Sequence, residues 1–290
     1  MLGAPIAHSR SPLLHAAAYR VLGLDWEYGR AEVGEDDLPA FLAGLGPEWR
    51  GLSLTMPLKR AVVPLVADHD PLVDRLRLAN TLLLGDAPRL FNTDVAGVDA
   101  VLRSAGGPYA SAVVLGGGAT AASTLEALLL QGVPRRTVAA RSPQRAAAEL
   151  GDLPTAVVPL ADAPLAEADV VIVTLPGGAD PGVGVPAGVE GVPLLDVAYD
   201  PWPSALGGAW LAAGGVLLHG LDLLIEQALI QVRIFTAGDP AVPLPREADV
   251  REAMRLAVVG PVGPGMVGPV EGRGPAASQS DGVGPDMGDS

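Results

Sequence analysis

The sequence predicts an α/β protein in two parts, an N-terminal α/β segment followed by a doubly wound parallel sheet, with a long helix near its end. Three observations lead there. Up to about residue 97, short strand-like and helix-like stretches alternate, punctuated by Gly and Pro. From Val98 onward an apolar strand, a glycine turn and an alanine-rich helix recur, the βαβ rhythm of a parallel sheet. Near the end, Leu221, Leu224, Ile225, Ala228, Leu229, Val232 and Phe235 fall at helical spacing. With 290 residues and 49% apolar content, the chain is long enough for two cores.

Taken in order, Ser11 and Pro12 read as N-cap and first residue of a helix. Its buried stripe is Leu13, Leu14, Ala17, Ala18 and Val21, and Gly23 is its stop. Residues 26–33 alternate like a strand. The acidic run 35–37 opens a helix reaching about Gly44, with negative charge at its positive end. A short strand at 51–54 meets Met56-Pro57, which places Lys59 just past a strand end and near a helix start. In the second part the expected strands are 112–115, 137–140, 170–174, 194–197 and 216–218. A helix over 119–130 is closed by Gly132. From about 260 the chain carries Gly and Pro every few residues with almost no large apolar side chains, a composition expected to be disordered.

A formal charge of −14 opposes general binding to nucleic acid or anionic membrane, without excluding a local basic pocket. Zero cysteines exclude disulfides, thiolate metal sites and a cysteine nucleophile, and the four histidines show no ligand spacing. The opening MLGAPIAHSRSP has no charged-then-apolar leader pattern, and no run of about 18 apolar residues follows. The expectation is a cytoplasmic protein.

Two rarities stand out. Lys59 is the only lysine beside eighteen arginines, and the only asparagines, Asn80 and Asn92, are each followed by threonine. In VVLGGGATAAST, Gly116 and Gly118 lie between an apolar strand and a helix, and Ala121 takes the third small position of a Rossmann pattern. Such small residues allow a tight turn and close approach to a pyrophosphate on the helix N-terminus. Strand two ends in VAARSPQR, where Ala140 stands near the usual Asp or Glu that binds the NAD ribose. Arg141 and Arg145 follow, and guanidinium groups suit the 2′-phosphate of NADP. The competing readings are a ligand-free glycine turn and two solvated arginines at a helix start. Ser9 and Ser11 flank the turn into the first helix, where a carboxylate could be held. From these residues alone, a cap and a turn residue is the simpler reading.

The motifs GAPIAHSRSPLLH, SLTMPLK, ANTL, NTDVAG, the glycine loop, ARSPQRA, DVAYDPWPSAL and GLDLLIEQA occur together in this order. In this the chain resembles the shikimate dehydrogenase family over about residues 3–236. The resemblance implies a catalytic pair of Lys59 and Asp94. It implies a substrate carboxylate held by Ser9 and Ser11, substrate hydroxyls held by Thr55, Asn80, Asp94 and Gln227, and Tyr199 at the substrate's edge. It implies NADP as cofactor, bound by Gly116, Gly117, Gly118, Ala119, Arg141, Ser142, Arg145 and Thr174. The implied layout is a substrate domain of residues 1–97 plus 220–259 and a dinucleotide domain of 98–219. The implied activity is reversible reduction of 3-dehydroshikimate to shikimate on the way to chorismate, by a monomer or homodimer.

The chain also departs from the family's pattern. Ser53 stands where many members have asparagine, Ala122 near a common arginine, and His219 where aspartate is common. Only Met1 and Leu2 precede Gly3, so the expected first strand is short and a start upstream is conceivable. Ser53 keeps open a paralogue acting on quinate or aminoshikimate. A non-catalytic shikimate-binding module would be expected to lose the Lys59–Asp94 pair. The paired serines disfavour a methylenetetrahydrofolate dehydrogenase of similar shape.

Overall fold

The structure, a computed structural model, describes residues 1–259; the Gly/Pro-rich stretch read as disordered lies outside the described residues. The first part opens with β1 (Leu2–Gly3), α1 (Ser11–Leu22), β2 (Ala31–Glu32) and α2 (Leu38–Ala43). Then come β3 (Gly51–Ser53), α3 (Leu58–Ala61), β4 (Asp68–His69), α4 (Pro71–Leu76), β5 (Thr81–Leu83) and β6 (Arg89–Phe91). β3, β5, β6 and β4 form one sheet in that order, antiparallel except for β4 on β6. β1 pairs in parallel with β2, and Leu2 bridges Leu54 just beyond β3, so the N-terminal strand is tied to the lysine-bearing segment.

α5 (Asp94–Ser104) leads to β7 (Ser111–Leu115), α6 (Ala119–Leu130), β8 (Arg135–Ala140), α7 (Pro143–Leu150) and β9 (Ala156–Pro159). The chain continues through β10 (Val170–Val173), β11 (Pro193–Asp196), α8 (Ala205–Ala212) and β12 (Val216–His219). These six strands are all parallel, in the order β12-β11-β10-β7-β8-β9. Connection direction reverses between β7 and β10, and ligands of such sheets bind outside the strand C-termini at that switch point. The central strands β7, β10 and β11 are buried along their whole length, as a sheet covered on both faces requires.

α9 (Gly220–Ala237) and α10 (Glu247–Val259) close the described chain. α9 packs against α5 and α1, and Leu221, Ile225, Ala228 and Val232 share a core with Leu14 and Ala18 of α1 and with Val250, Met254 and Val258 of α10. A last helix thus does return to the first part. No described helix is long and apolar enough to cross a membrane.

Several local expectations need correction. The N-cap of α1 is Arg10, not Ser11; the Ser9 hydroxyl, two residues earlier, accepts from the Ser11 N–H at 3.3 Å. Leu13 is 55% exposed, while His15 and Tyr19 take inward positions of the helix. Of the strand read at 26–33, only Ala31–Glu32 pairs. Trp26 and Tyr28 instead spend their rings on packing: Trp26 meets Tyr19 edge-on, and Tyr28 stacks on His15 at 3.9 Å between centroids. Gly23 does close α1, in the left-handed conformation (φ 67°).

Candidate active site

The site grows from the N-terminus of α5. Asn92 folds its side chain forward, and its Oδ1 accepts from the backbone N–H groups of Asp94 (3.1 Å) and Val95 (3.4 Å). These are donors that a helix start leaves without partners. Asp94 therefore begins the helix, where the dipole favours a carboxylate. Its Oδ2 receives Lys59 Nζ at 2.6 Å, and its Oδ1 receives Asn80 Nδ2 at 2.8 Å. Both members of the ion pair are largely enclosed, at 15% and 12% side-chain exposure, so water screens the pair little. Lys59 lies in the single turn of α3, and its carbonyl accepts from Ala79 N–H at 2.9 Å, which couples it to the segment carrying Asn80.

Asn80 is held on every side. Its Oδ1 accepts from Thr93 N–H and from the Thr81 hydroxyl, each at 2.9 Å. Gln227 reaches in from α9, with Oε1 at 3.4 Å from both Asn80 Nδ2 and Thr93 Oγ1. The approach of α9 depends on Gly97 of α5, where a Cβ would sit 3.0 Å from Gln227 Cβ and from Leu223 Cδ1. Lys59, Asp94, Asn80 and Gln227 thus form one connected polar group.

On the neighbouring side, Thr55 N–H donates to Leu2 O at 2.9 Å, and a Cβ on Gly3 would collide with Thr55 Cγ2 at 2.4 Å. Glycine at position 3 therefore lets the strand leading to Ser9 and Ser11 lie against Thr55. Ser11 is buried, and its hydroxyl and that of Ser53 flank the Tyr28 phenol; burial nevertheless holds that phenol above its usual pKa. Tyr199 lies apart from the Lys59 group, under the Arg10 guanidinium, 5.8 Å from the ring centroid. Arg10 in turn donates to Val258 O at the end of α10.

The glycine loop follows β7 at the switch point. Gly116 has φ 117°, and a Cβ there would strike Thr174 Oγ1; a Cβ on Gly117 would strike Ala146 Cβ. Gly118 has open space, with no atom within 4 Å of a Cβ, and its backbone is extended ahead of α6, which begins at Ala119. A dinucleotide phosphate fits this arrangement: packed glycines, an open face and the N–H groups of a twelve-residue helix. Thr174, past β10, donates to Leu115 O at 3.1 Å. Arg141, Ser142 and Arg145 are exposed between β8 and the first turn of α7, and neither arginine pairs with a carboxylate among the described residues. Asn92 links the two halves of the site, since its Nδ2 donates to Ser123 Oγ of α6 at 3.2 Å. Among the described residues no group of three or more His, Asp or Glu could hold a metal ion.

Two residues at which the sequence departs from the family pattern have structural roles. His219 is the N-cap of α9: its Nδ1 accepts from Leu221 N–H at 3.1 Å, and its ring stacks on Trp202. Burial, with the charge of Arg10 adding to it, lowers its pKa to about 4. Ser53 is buried, and its hydroxyl donates to Gln231 Oε1 at 2.8 Å. Sequence reasoning missed Gln231, Thr93 and the capping role of Asn92. The isolation of Asn92 as one of two asparagines was the available signal for the last.

His219 gives a pH prediction. The unfolded imidazole takes up its proton near 6.5, whereas the folded one resists until about 4. Stability from this group is therefore complete above pH 6.5 and falls as pH drops towards 4. His15, driven down to about 3 by burial, acts in the same direction. Melting temperature measured from pH 7 to 4 should decline, and His219→Asn, a cap that does not titrate, should decline less steeply. Parallel curves for the two proteins would show that this cap does not titrate on unfolding.

Comparison with known proteins finds relatives over most of the chain. A family model described as the shikimate dehydrogenase substrate binding domain matches residues 1–82. The shikimate dehydrogenase (NADP(+)) of Moorella thermoacetica is 32% identical over 286 residues, spanning 90% of this chain and 95% of that protein. The crystal structure of the Mycobacterium tuberculosis shikimate dehydrogenase superposes with a TM-score of 0.72 at 40% identity, covering 89% of this chain and 96% of that one. The Thermus thermophilus shikimate 5-dehydrogenase in complex with NADP(H) and shikimate gives 0.76 at 31% identity, covering 89% and 98%.

Proposed function

The chain belongs to the shikimate dehydrogenase family, and from that premise we propose that it interconverts 3-dehydroshikimate and shikimate with NADP(H), an oxidoreductase acting on a CH–OH group. The observation that carries this reading is the Lys59–Asp94 pair, enclosed, 2.6 Å apart and braced by Asn80. Bound NADPH supplies the hydride. The chain's own groups handle the charge and the proton. As the ketone oxygen gains negative charge, the Lys59 ammonium stabilises it and passes a proton from Nζ to that oxygen. Asp94 holds Nζ in place through Oδ2, and Asn80 prevents the carboxylate from turning by occupying Oδ1. Ser9 and Ser11 bind the substrate carboxylate, Thr55, Asn80, Asp94 and Gln227 its hydroxyls, and Tyr199 borders it.

Gly116 to Ala119 and Thr174 hold the pyrophosphate side of the cofactor, and Arg141, Ser142 and Arg145 its 2′-phosphate. In this reading residues 1–97 with 220–259 are the substrate side and 98–219 the cofactor side, with α5 crossing between them. The protein works in the cytoplasm as a monomer or homodimer on small molecules, in the formation of chorismate and the aromatic amino acids, with neither nucleic acid nor membrane as a partner.

The purified protein should reduce NADP⁺ with shikimate, followed by NADPH absorbance, and do so faster than with NAD⁺ or with quinate. Faster turnover of quinate would assign the site to the paralogous activity, and no turnover of either acid with either cofactor would overturn the reading.

A further inference from the structure

Behind Asn80 lies a second buried amide that none of the chemistry above uses. Gln231 stands one helical turn after Gln227 on α9, so both reach Asn80, which leads into β5. It is 2% exposed, and Ser53, Thr81 and Asn80 around it are as enclosed. Gln231 Nε2 donates to Asn80 O (3.2 Å) and to Thr81 Oγ1 (3.0 Å), and Oε1 accepts from Ser53 Oγ (2.8 Å). Ser53 and Thr81 face each other in register across β3 and β5.

The direction of every bond in this group is fixed. A backbone carbonyl can only accept, so the Gln231 atom facing Asn80 O must be the nitrogen, and its oxygen must face Ser53. Thr81 Oγ1 then accepts a hydrogen bond from Gln231 Nε2 and has its own hydrogen left to donate, which goes to Asn80 Oδ1 at 2.9 Å. Thr93 N–H, which can only donate, meets the same Oδ1. The Asn80 amide therefore presents Nδ2 to Asp94, and a flipped amide would set oxygen against the carboxylate.

We propose that Gln231 is a positioning residue: through Thr81 it adds a second hold, beside the Thr93 N–H, on Asn80 Oδ1 and so on the amide orientation that donates to Asp94, with Ser53 anchoring Gln231 from the far side. The functional consequence rests on the proposed reading of the site, but the orientation itself does not.

The test uses Gln231→Leu, which keeps volume and removes every bond, and Thr81→Val, which is isosteric and removes only the link. Selective ¹⁵N-asparagine labelling of the full chain yields side-chain N–H₂ signals from two residues only, Asn80 and Asn92. Asn92, tied to Leu78 O and Ser123 Oγ, is an internal reference. In both variants the Asn80 pair should broaden or exchange faster with solvent while the Asn92 pair stays as in the wild type. The KM for shikimate should rise roughly tenfold, the scale of one misplaced buried hydrogen bond, with the KM for NADP⁺ unchanged. An Asn80 pair that matches the wild type in either folded variant overturns the inference, whatever the activity. If Gln231→Leu does not fold, Thr81→Val decides. A wild-type protein inactive on shikimate would sink the functional reading and leave the labelling result to judge the relay.

Discussion

Lys59→Ala should lower turnover by on the order of 10²-fold or more, the usual scale for losing a general acid, which is about 2.7 kcal/mol of transition-state stabilisation. Shikimate binding should suffer less, because the serines and the hydroxyl-binding groups remain and the missing interaction strengthens only as the alkoxide forms. The sharper variant is Lys59→Arg. Arginine preserves the positive charge but does not give up a proton near neutral pH, and its planar fork is wider than an ammonium. At this position the fork has one carboxylate oxygen to address, since Asn80 already occupies Asp94 Oδ1. Steady-state kinetics of both variants should therefore show near-complete loss of kcat. If Lys59→Arg keeps most of the wild-type turnover, the lysine is merely a positive charge near the substrate and the proton-transfer role is wrong. Loss of turnover in both variants would account for the single lysine in a chain with eighteen arginines.

Lys59, Asn80 and Asn92 stood out because lysine and asparagine are scarce in the chain, whereas Asp94 and Gln227 came only with the family resemblance; the parallel sheet was legible because fully buried strands are short apolar runs. The strands at 112–115, 137–140, 170–174, 194–197 and 216–218 all appear within one or two residues, and the helix over 119–130 agrees at both ends. Patterns that depend on tertiary partners were harder to read. Trp26 and Tyr28 alternate like strand residues, yet their rings find His15 and Tyr19, so no ladder forms there. α10 went unread, although Val250, Met254 and Val258 recur every four residues and Glu247 and Asp249 open the helix. β4 and β6 have two and three residues, too few for any period to show. Within the site, Gln231 was silent because a glutamine on a helix looks like a solvated residue. Only the register that sets Ser53 opposite Thr81 reveals what it faces.

The second large effect concerns cofactor choice. Replacing both Arg141 and Arg145 by Ala should weaken NADP⁺ binding far more than NAD⁺ binding. Charge-assisted hydrogen bonds contribute roughly 1.5–3 kcal/mol each, so even one lost contact should cost about tenfold or more. The surroundings of the pair favour this reading over two idle surface charges. Both guanidinium groups stand at the N-terminal end of α7, which has no acidic residue in its first turn. Positive charge there opposes the helix dipole, and no described carboxylate pairs with either arginine to relieve it. An anion such as the 2′-phosphate would supply the missing partner. The neighbouring Ala140 is 6% exposed and carries no carboxylate to compete for it. The double variant should accordingly melt at the same temperature as the wild type or slightly higher, while its affinity for NADP⁺, measured by titration calorimetry, falls. Equal losses for NADP⁺ and NAD⁺ would show that these arginines do not read the 2′-phosphate, and a marked drop in melting temperature would show that they serve the fold instead.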